Sequence, residues 1–188
     1  MSTEAVQLVV VRHADTAWTA SGQHTGHTDL PLNAEGREAA GRLAGRLAQW
    51  SFDAVWCSPL IRALETCEIT GFGERAERHD ELVEWDYGAY EGVTTAQVHE
   101  LDPDWDLWRD GCPRGEDANA VGARADRALA SLPATGTLLA FSHGHFLRVL
   151  IARWLGLTPA QGALFTIAPG GLALLDHERA RRVLSSLG

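Results

Sequence analysis

The stretch Leu8-Val9-Val10-Val11-Arg12-His13-Ala14-Asp15-Thr16 decides the fold. Leu8 to Val11 is a short, β-branched apolar run, which predicts a buried strand. Arg12 and His13 end it with two ionisable groups. Thr16 to Leu32 is rich in Gly, Ser, Thr and His and reads as a long loop, a type of segment that is often functional in a compact domain. Asn33 can cap the helix that follows, with Ala39, Ala40, Leu43, Ala44, Leu47 and Ala48 on one face.

The alternation continues downstream. Ala54 to Cys57 is a second short strand, and Ser58-Pro59 reads as an N-cap with proline at the first helical position. That helix carries Ile61, Arg62, Leu64, Glu65 and Ile69. Thr94 and Gln97 fit a capping box, and Val121, Ala125 and Leu129 mark an amphipathic helix. Thr137 to Phe141 is an apolar strand, and Ser142 to Leu155 a largely apolar helix. Leu172 to Leu175 is a strand with which Arg182 to Leu187 can pair. Strands alternating with helices predict an α/β fold, a three-layer α/β/α sandwich with a mainly parallel central sheet. Ligands of such sheets sit outside the carboxyl ends of the strands. Arg12-His13, Ser58 with Arg62, and Ser142-His143 stand at those ends, so two histidines and two arginines converge from distant parts of the chain.

The 188 residues suit one domain, and no linker, repeat or low-complexity stretch interrupts them. With 25 acidic and 16 basic residues the formal charge is −9, the opposite of a nucleic-acid or anionic-membrane footprint. Three cysteines (Cys57, Cys67, Cys112) form neither a metal-ligand pattern nor a disulfide framework, and read as reduced, mostly buried thiols of a cytoplasmic protein. Met1 to Gln7 has no basic segment leading into a long apolar run, so neither a signal peptide nor a membrane span is expected.

The converging residues suit phosphoryl chemistry, in which catalysis is mostly positioning and charge neutralisation. Arg12 and Arg62 each offer a planar fork of donors to phosphate oxygens. His143 opens a helix, so its ring and the backbone N–H groups around Gly144 face the same anion. His13 is the natural nucleophile, because a neutral imidazole nitrogen can attack phosphorus while a carbonyl bonded to the other nitrogen fixes the tautomer. Glu84, flanked by Val83 and Trp85 in Glu81–Glu91 (ELVEWDYGAYE), is preferred over Asp86 and Glu91 as general acid, since burial would favour its protonated form.

These residues resemble the histidine phosphatase superfamily, the phosphoglycerate mutase-like enzymes. The resemblance rests on Arg12-His13-Ala14-Asp15-Thr16, Ser58-Pro59-Leu60-Ile61-Arg62-Ala63, Glu84-Trp85-Asp86-Tyr87-Gly88 and Ser142-His143-Gly144, and it spans nearly the whole chain. Ser21–Gly26, Glu84–Gly92, Trp108–Cys112 and His143-Gly144-His145 are similar to the fungal sedoheptulose-1,7-bisphosphatase branch. The resemblance implies a phosphoglycerate mutase-like fold, His13 as the phosphorylated residue and Glu84 as proton donor. It also implies Arg12, Arg62 and His143 as phosphate ligands and substrate contacts near Thr25-Gly26 and Tyr87, which we extend to Gln23 in the same loop. Ala14 replaces the usual glycine, which would narrow the pocket unless the backbone tolerates the methyl. Thr19 stands where many relatives carry a phosphate-contacting asparagine, and His24 at a position that is aromatic in the fungal branch.

Several features have competing readings. His143-Gly144-His145 invites a metal, but two ligands from one segment do not make a zinc site, and no metal or other cofactor is expected. Trp105 and Trp108 read as loop packing ahead of a sugar platform. A mutase would need a strongly cationic, closed pocket. The expected cap or insert region, residues 93–136, instead holds Glu100, Asp102, Asp104, Asp106, Asp110, Glu116, Asp117 and Asp126 against Arg109, Arg114, Arg124 and Arg127. That balance favours hydrolysis of small phosphate esters, with a lean to sugar phosphates or bisphosphates whose second phosphate Arg109 or Arg114 would read. The alternatives are mutase-type phosphoryl transfer and an inactive phosphate-binding module. The expected partner is a small phosphorylated molecule, with neither nucleic acid nor membrane; oligomeric state is not readable.

Overall fold

The structure is a computed structural model that describes residues 5–188. The expectation about the leader-free start falls partly on residues 1–4, outside the described residues. Six strands form one mixed sheet: β1 (Gln7–Arg12), β2 (Ala54–Cys57), β3 (Ala76–Arg78), β4 (Thr137–Ser142), β5 (Leu172–Glu178) and β6 (Arg181–Leu187). Their order across the sheet is β3-β2-β4-β1-β5-β6. The pairings β1·β4, β2·β4 and β2·β3 are parallel, whereas β5 and β6 close one edge as an antiparallel hairpin. β3 has only three residues, two of them charged, which suits an edge strand.

Period-two alternation along β1 explains the layers. Val9 and Val11 face Leu43 and Leu47 of α2 (Ala34–Leu47) and Ala63 and Cys67 of α3 (Ile61–Ile69). Leu8 and Val10 face the other way, into a core with Val121 and Ala125 of α6 (Ala118–Ala130) and Phe146, Leu147 and Leu150 of α7 (Gly144–Trp154). Helices therefore cover both faces, as the three-layer expectation requires. Cys57, Cys67 and Cys112 are buried free thiols.

The register places the reactive residues. Arg12 pairs with Ser142 and Cys57 with Phe141, so β1, β2 and β4 end level. The ladder runs one residue further, with the amides of His13 and Ser58 donating to the carbonyls of Ser142 and Phe141 (2.9 Å each).

Local boundaries differ from the sequence reading in three places. The Thr16–Leu32 loop contains a short helix, α1 (Ala17–Ser21), closed by a Thr16/Thr19 capping box. Ser58-Pro59 does not start α3: the helix begins at Ile61 with Leu60 at the N-cap, and Asp29 Oδ1 accepts the Ile61 amide (2.7 Å). Ser142 belongs to β4, and α7 starts at Gly144 with His143 as N-cap. At Ser58 and Ser142 a tertiary partner outcompetes the local signal, whereas α1 rests on its own local cap. Thr94 and Gln97 do form the expected capping box, on α4 (Thr95–Leu101), and the short α5 (Leu107–Asp110) follows it. Among the described residues no helix is long and apolar enough to cross a membrane.

Candidate active site

His13 follows β1 and is 3% exposed. Its Nδ1 lies 2.7 Å from the carbonyl oxygen of Ala14. A carbonyl only accepts, so Nδ1 carries the proton and Nε2 keeps its lone pair. The Ala14 amide donates to Thr66 Oγ1 (3.1 Å), and Thr66 donates to the Arg62 carbonyl (2.7 Å), so α3 holds the peptide that holds the ring. The Ala14 methyl packs with Leu32 and Ala40, away from the cavity, and the fold tolerates it without narrowing the pocket. Burial pushes the His13 pKa well below the usual histidine value, and the nearby charges of Arg62 and Arg12 push the same way. The neutral form is the nucleophilic one. The acidic limb of kcat/KM should therefore lie below the usual histidine value of about 6.5. Measuring kcat/KM against pH tests this, and a midpoint at or above that value would contradict it.

Glu84 is 5% exposed. Its carboxylate accepts amides of Trp85 (2.9 Å) and Phe146 (2.8 Å) at Oε1 and of His145 (3.1 Å) at Oε2. Two of these donors belong to the first turn of α7, where the helix dipole favours an anion. Arg124 holds the segment from behind, donating to the carbonyls of Glu81, Val83 and Glu84 while forking onto Glu116. Glu91, the weighed alternative, is committed elsewhere: it accepts the amides of Gly26 and Thr28. Asp86 Oδ1 accepts the Gly88 amide.

Arg62 and His143 sit directly behind His13 and are fully buried. The His13 and His143 ring centroids are 5.1 Å apart. Arg62 Nε donates to His143 Nδ1 (3.1 Å), so His143 carries its proton on Nε2 and donates to Ser58 Oγ (2.7 Å). The rest of the guanidinium reaches the carbonyls of Thr28 (3.1 Å), Thr25 (3.1 Å) and Gly26 (2.9 Å). Gly26 is pinned between this fork and Glu91, and a Cβ there would lie 2.6 Å from Glu91 Oε2 and 2.7 Å from the Trp85 carbonyl. Four of the five Arg62 donors are thus used within the protein, and one N–H remains.

A cavity of about 290 Å3 opens at the ends of β1 and β4. Of the expected site residues, Arg12, His13, Thr19, Gln23, Thr25, Glu84, Tyr87 and Gly144 line it, whereas Arg62, His143 and Gly26 stand behind its wall. Arg12 uses one guanidinium N–H on the Ile167 carbonyl (2.7 Å), but its buried Nε has no acceptor among the described residues. A buried cationic N–H without a partner is costly, so a site for an anion at this point is chemically reasonable. The Gly144 backbone lies close beside it: a Cβ there would come within 3.1 Å of the guanidinium. Thr19 and Gln23 line the cavity with side chains engaged locally, Thr19 in the α1 cap and Gln23 on the Gly92 carbonyl.

The basic residue that the sequence reading missed is Arg148. It lines the cavity, lies over the Trp108 ring (4.5 Å) and donates to the Gly162 carbonyl. Arg109 and Arg114 do not line it; Arg109 forks onto Asp110, with a further contact to the Asp104 carbonyl. Thr95 and Thr166 also reach the wall. Trp105 packs inward, its indole N–H donating to the Gly111 carbonyl (2.8 Å).

A phosphoric monoester hydrolase on the phosphoglycerate mutase-like α/β architecture is what this fold and site define. The particular family is the histidine phosphatase superfamily (branch 1), to which the chain belongs; its family model matches residues 8–188. Over 188 aligned residues the chain is 40% identical to an acid phosphatase of Mycobacterium tuberculosis, covering 97% of this chain and 92% of that protein. It is 34% identical to the sedoheptulose 1,7-bisphosphatase of Saccharomyces cerevisiae, over 79% of this chain and 67% of the other. Among solved structures, an open reading frame product from Mycobacterium tuberculosis superposes with a TM-score of 0.92 at 38% identity, covering 97% and 96% of the two chains. The α-ribazole phosphatase from Shigella flexneri gives 0.84 at 29% identity, over 96% and 95%.

Proposed function

We propose that this chain hydrolyses small phosphate monoesters, preferably sugar phosphates or bisphosphates, through a phosphohistidine on His13. The observation that carries the reading is the Nδ1–H bond to the Ala14 carbonyl, with the Nε2 lone pair free beside Arg12 in the cavity. In the first step Nε2 attacks phosphorus, the phosphorus–oxygen bond of the ester breaks, and Glu84 relays the proton brought by the ester monoanion to the leaving alkoxide. Arg12, the remaining N–H of Arg62 and the Gly144 amide balance charge on the transferred group, and His143 holds the Arg62 guanidinium in place behind it. In the second step Glu84 takes a proton from water as the oxygen attacks phosphorus. The phosphorus–nitrogen bond then breaks, and neutral His13 and inorganic phosphate are released.

Arg148 supports the lean to substrates with a second anionic group, in place of Arg109 or Arg114. Arg109, Arg124 and Arg127 are paired with Asp110, Glu116 and Glu81, which leaves them poorly suited to the cationic enclosure a mutase needs. We further propose that residues 1–188 work as one domain. Its cap is the part of the 93–136 region before α6, since α6 itself is built into the core. Buried free thiols suit a cytoplasmic location.

The test is rapid quenching with a phosphate-labelled ester. An acid-labile, base-stable label should appear on wild type and be absent from His13→Ala; no label on wild type would end the reading. Glu84→Gln should slow turnover of sugar phosphates by about 10²–10⁴-fold. With p-nitrophenyl phosphate, whose leaving group needs no proton, it should give a burst of about one nitrophenolate per site, because only hydrolysis of the phosphoenzyme then lacks its base.

A further inference from the structure

The mechanism leaves one part-buried pair unused. Tyr87 Oη lies 2.6 Å from His145 Nδ1. Tyr87 is 2% exposed, and burial together with the Glu84 charge pushes its pKa well above the usual phenol value, so the hydroxyl keeps its proton. Among the described residues that hydroxyl has no other hydrogen-bond partner, so it donates to His145 Nδ1. An imidazole that accepts at Nδ1 carries its proton on Nε2 when neutral. Burial first, then the charges of Arg148 and Arg12, push the His145 pKa well below the usual value and keep it neutral.

The ring has little freedom to turn. Trp108, Tyr87 and Trp85 meet it edge-on, with centroids at 5.4, 5.9 and 6.3 Å. Its Nε2–H has no acceptor among the described residues. His145 stands with His24 and Thr95 in the partition between the His13 cavity and an adjoining one of about 180 Å3, which His99, Trp105 and Trp108 line further. Glu84, which serves the leaving oxygen in the proposed mechanism, accepts the His145 amide at Oε2 (3.1 Å), so a leaving group that meets Glu84 lies next to His145.

We propose that His145 is a specificity residue whose Nε2–H donates to a hydroxyl oxygen of a polyhydroxylated, sugar-like leaving group, with Tyr87 as the positioning residue that fixes the tautomer. A neutral donor suits a neutral oxygen, whereas a second anion is better met by Arg148. The assignment rests on the phosphohistidine reading and adds the leaving-group chemistry to it.

The test compares ribose 5-phosphate with phenyl phosphate, which has no hydroxyl on its leaving group. His145→Phe keeps the ring packing but removes the donor. It should lower kcat/KM for ribose 5-phosphate about 3–10-fold more than for phenyl phosphate, the range expected of one neutral hydrogen bond. The loss should fall mainly on KM. His145→Gln, which can present an amide N–H near the same point, should recover part of it, and Tyr87→Phe should show the same selectivity in weaker form. Equal losses on both esters would overturn the proposal. Quenched wild type separates the two failures: a labelled His13 with unchanged selectivity in His145→Phe rejects the role of His145 alone, and an unlabelled His13 rejects the reading beneath it.

Discussion

Turnover of phosphate monoesters by His13→Ala falls by a factor on the order of 10⁴ or more, in the range seen when a covalent nucleophile is removed. No neighbouring group can take over. Ser58 accepts from His143, Ser142 donates to the Leu82 carbonyl (2.7 Å), and Thr66 is bound between Ala14 and Arg62. His143, the nearest ring, has both nitrogens engaged. The variant should still bind inorganic phosphate, because the unpartnered Arg12 Nε and the start of α7 are untouched. Steady-state turnover of the variant and its protection by phosphate against thermal unfolding measure the two halves of this expectation. Activity within tenfold of wild type would remove His13 as the attacking group. Loss of both turnover and phosphate binding would show that the substitution had disturbed the site more widely.

The parts of this site legible in the sequence are those that depend on where strands end. Arg12-His13 and Ser142-His143 follow apolar runs, and a parallel sheet brings such ends together whatever the loops do. The carbonyl partner of His13 was also accessible, because an attacking imidazole needs its other nitrogen held. Ser58-Pro59 misled because the dipeptide is a good local cap signal, while the folded chain gives Ser58 to His143 and caps α3 with Asp29. α1 was hidden in a loop-like composition, since its capping box uses Thr19 at the third helical position instead of Glu or Gln. Arg148 was missed for another reason. On an otherwise apolar helix an arginine reads as a solvated residue, and only the packing of Trp108 against its guanidinium turns it toward the cavity.

Arg62 separates catalytic from structural loss, and two substitutions should diverge. The side chain is fully buried and its nearest compensation is the field of Glu84, with no direct ion pair. Arg62→Met removes the charge, which relieves its desolvation, but strands the carbonyls of Thr25, Gly26 and Thr28 and the acceptor nitrogen of His143. The loop can turn some of those carbonyls toward water, so the net cost is about 1–3 kcal/mol. Arg62→Lys keeps a buried charge with a compact ammonium that cannot span three carbonyls and His143 at once. An under-bonded buried charge costs more, about 3–5 kcal/mol, which at about 2–4 °C per kcal/mol for a domain of this size lowers Tm by roughly 6–20 °C. Both variants should lose at least about 10²-fold in kcat/KM, because the Thr25–Thr28 loop and the His143 tautomer are set by the same fork. Stability should therefore rank wild type, Met, Lys, although lysine is the closer match in charge. Thermal unfolding of the two variants decides it. A lysine variant as stable as wild type would mean that the charge alone, and not the forked geometry, holds the loop over the nucleophile.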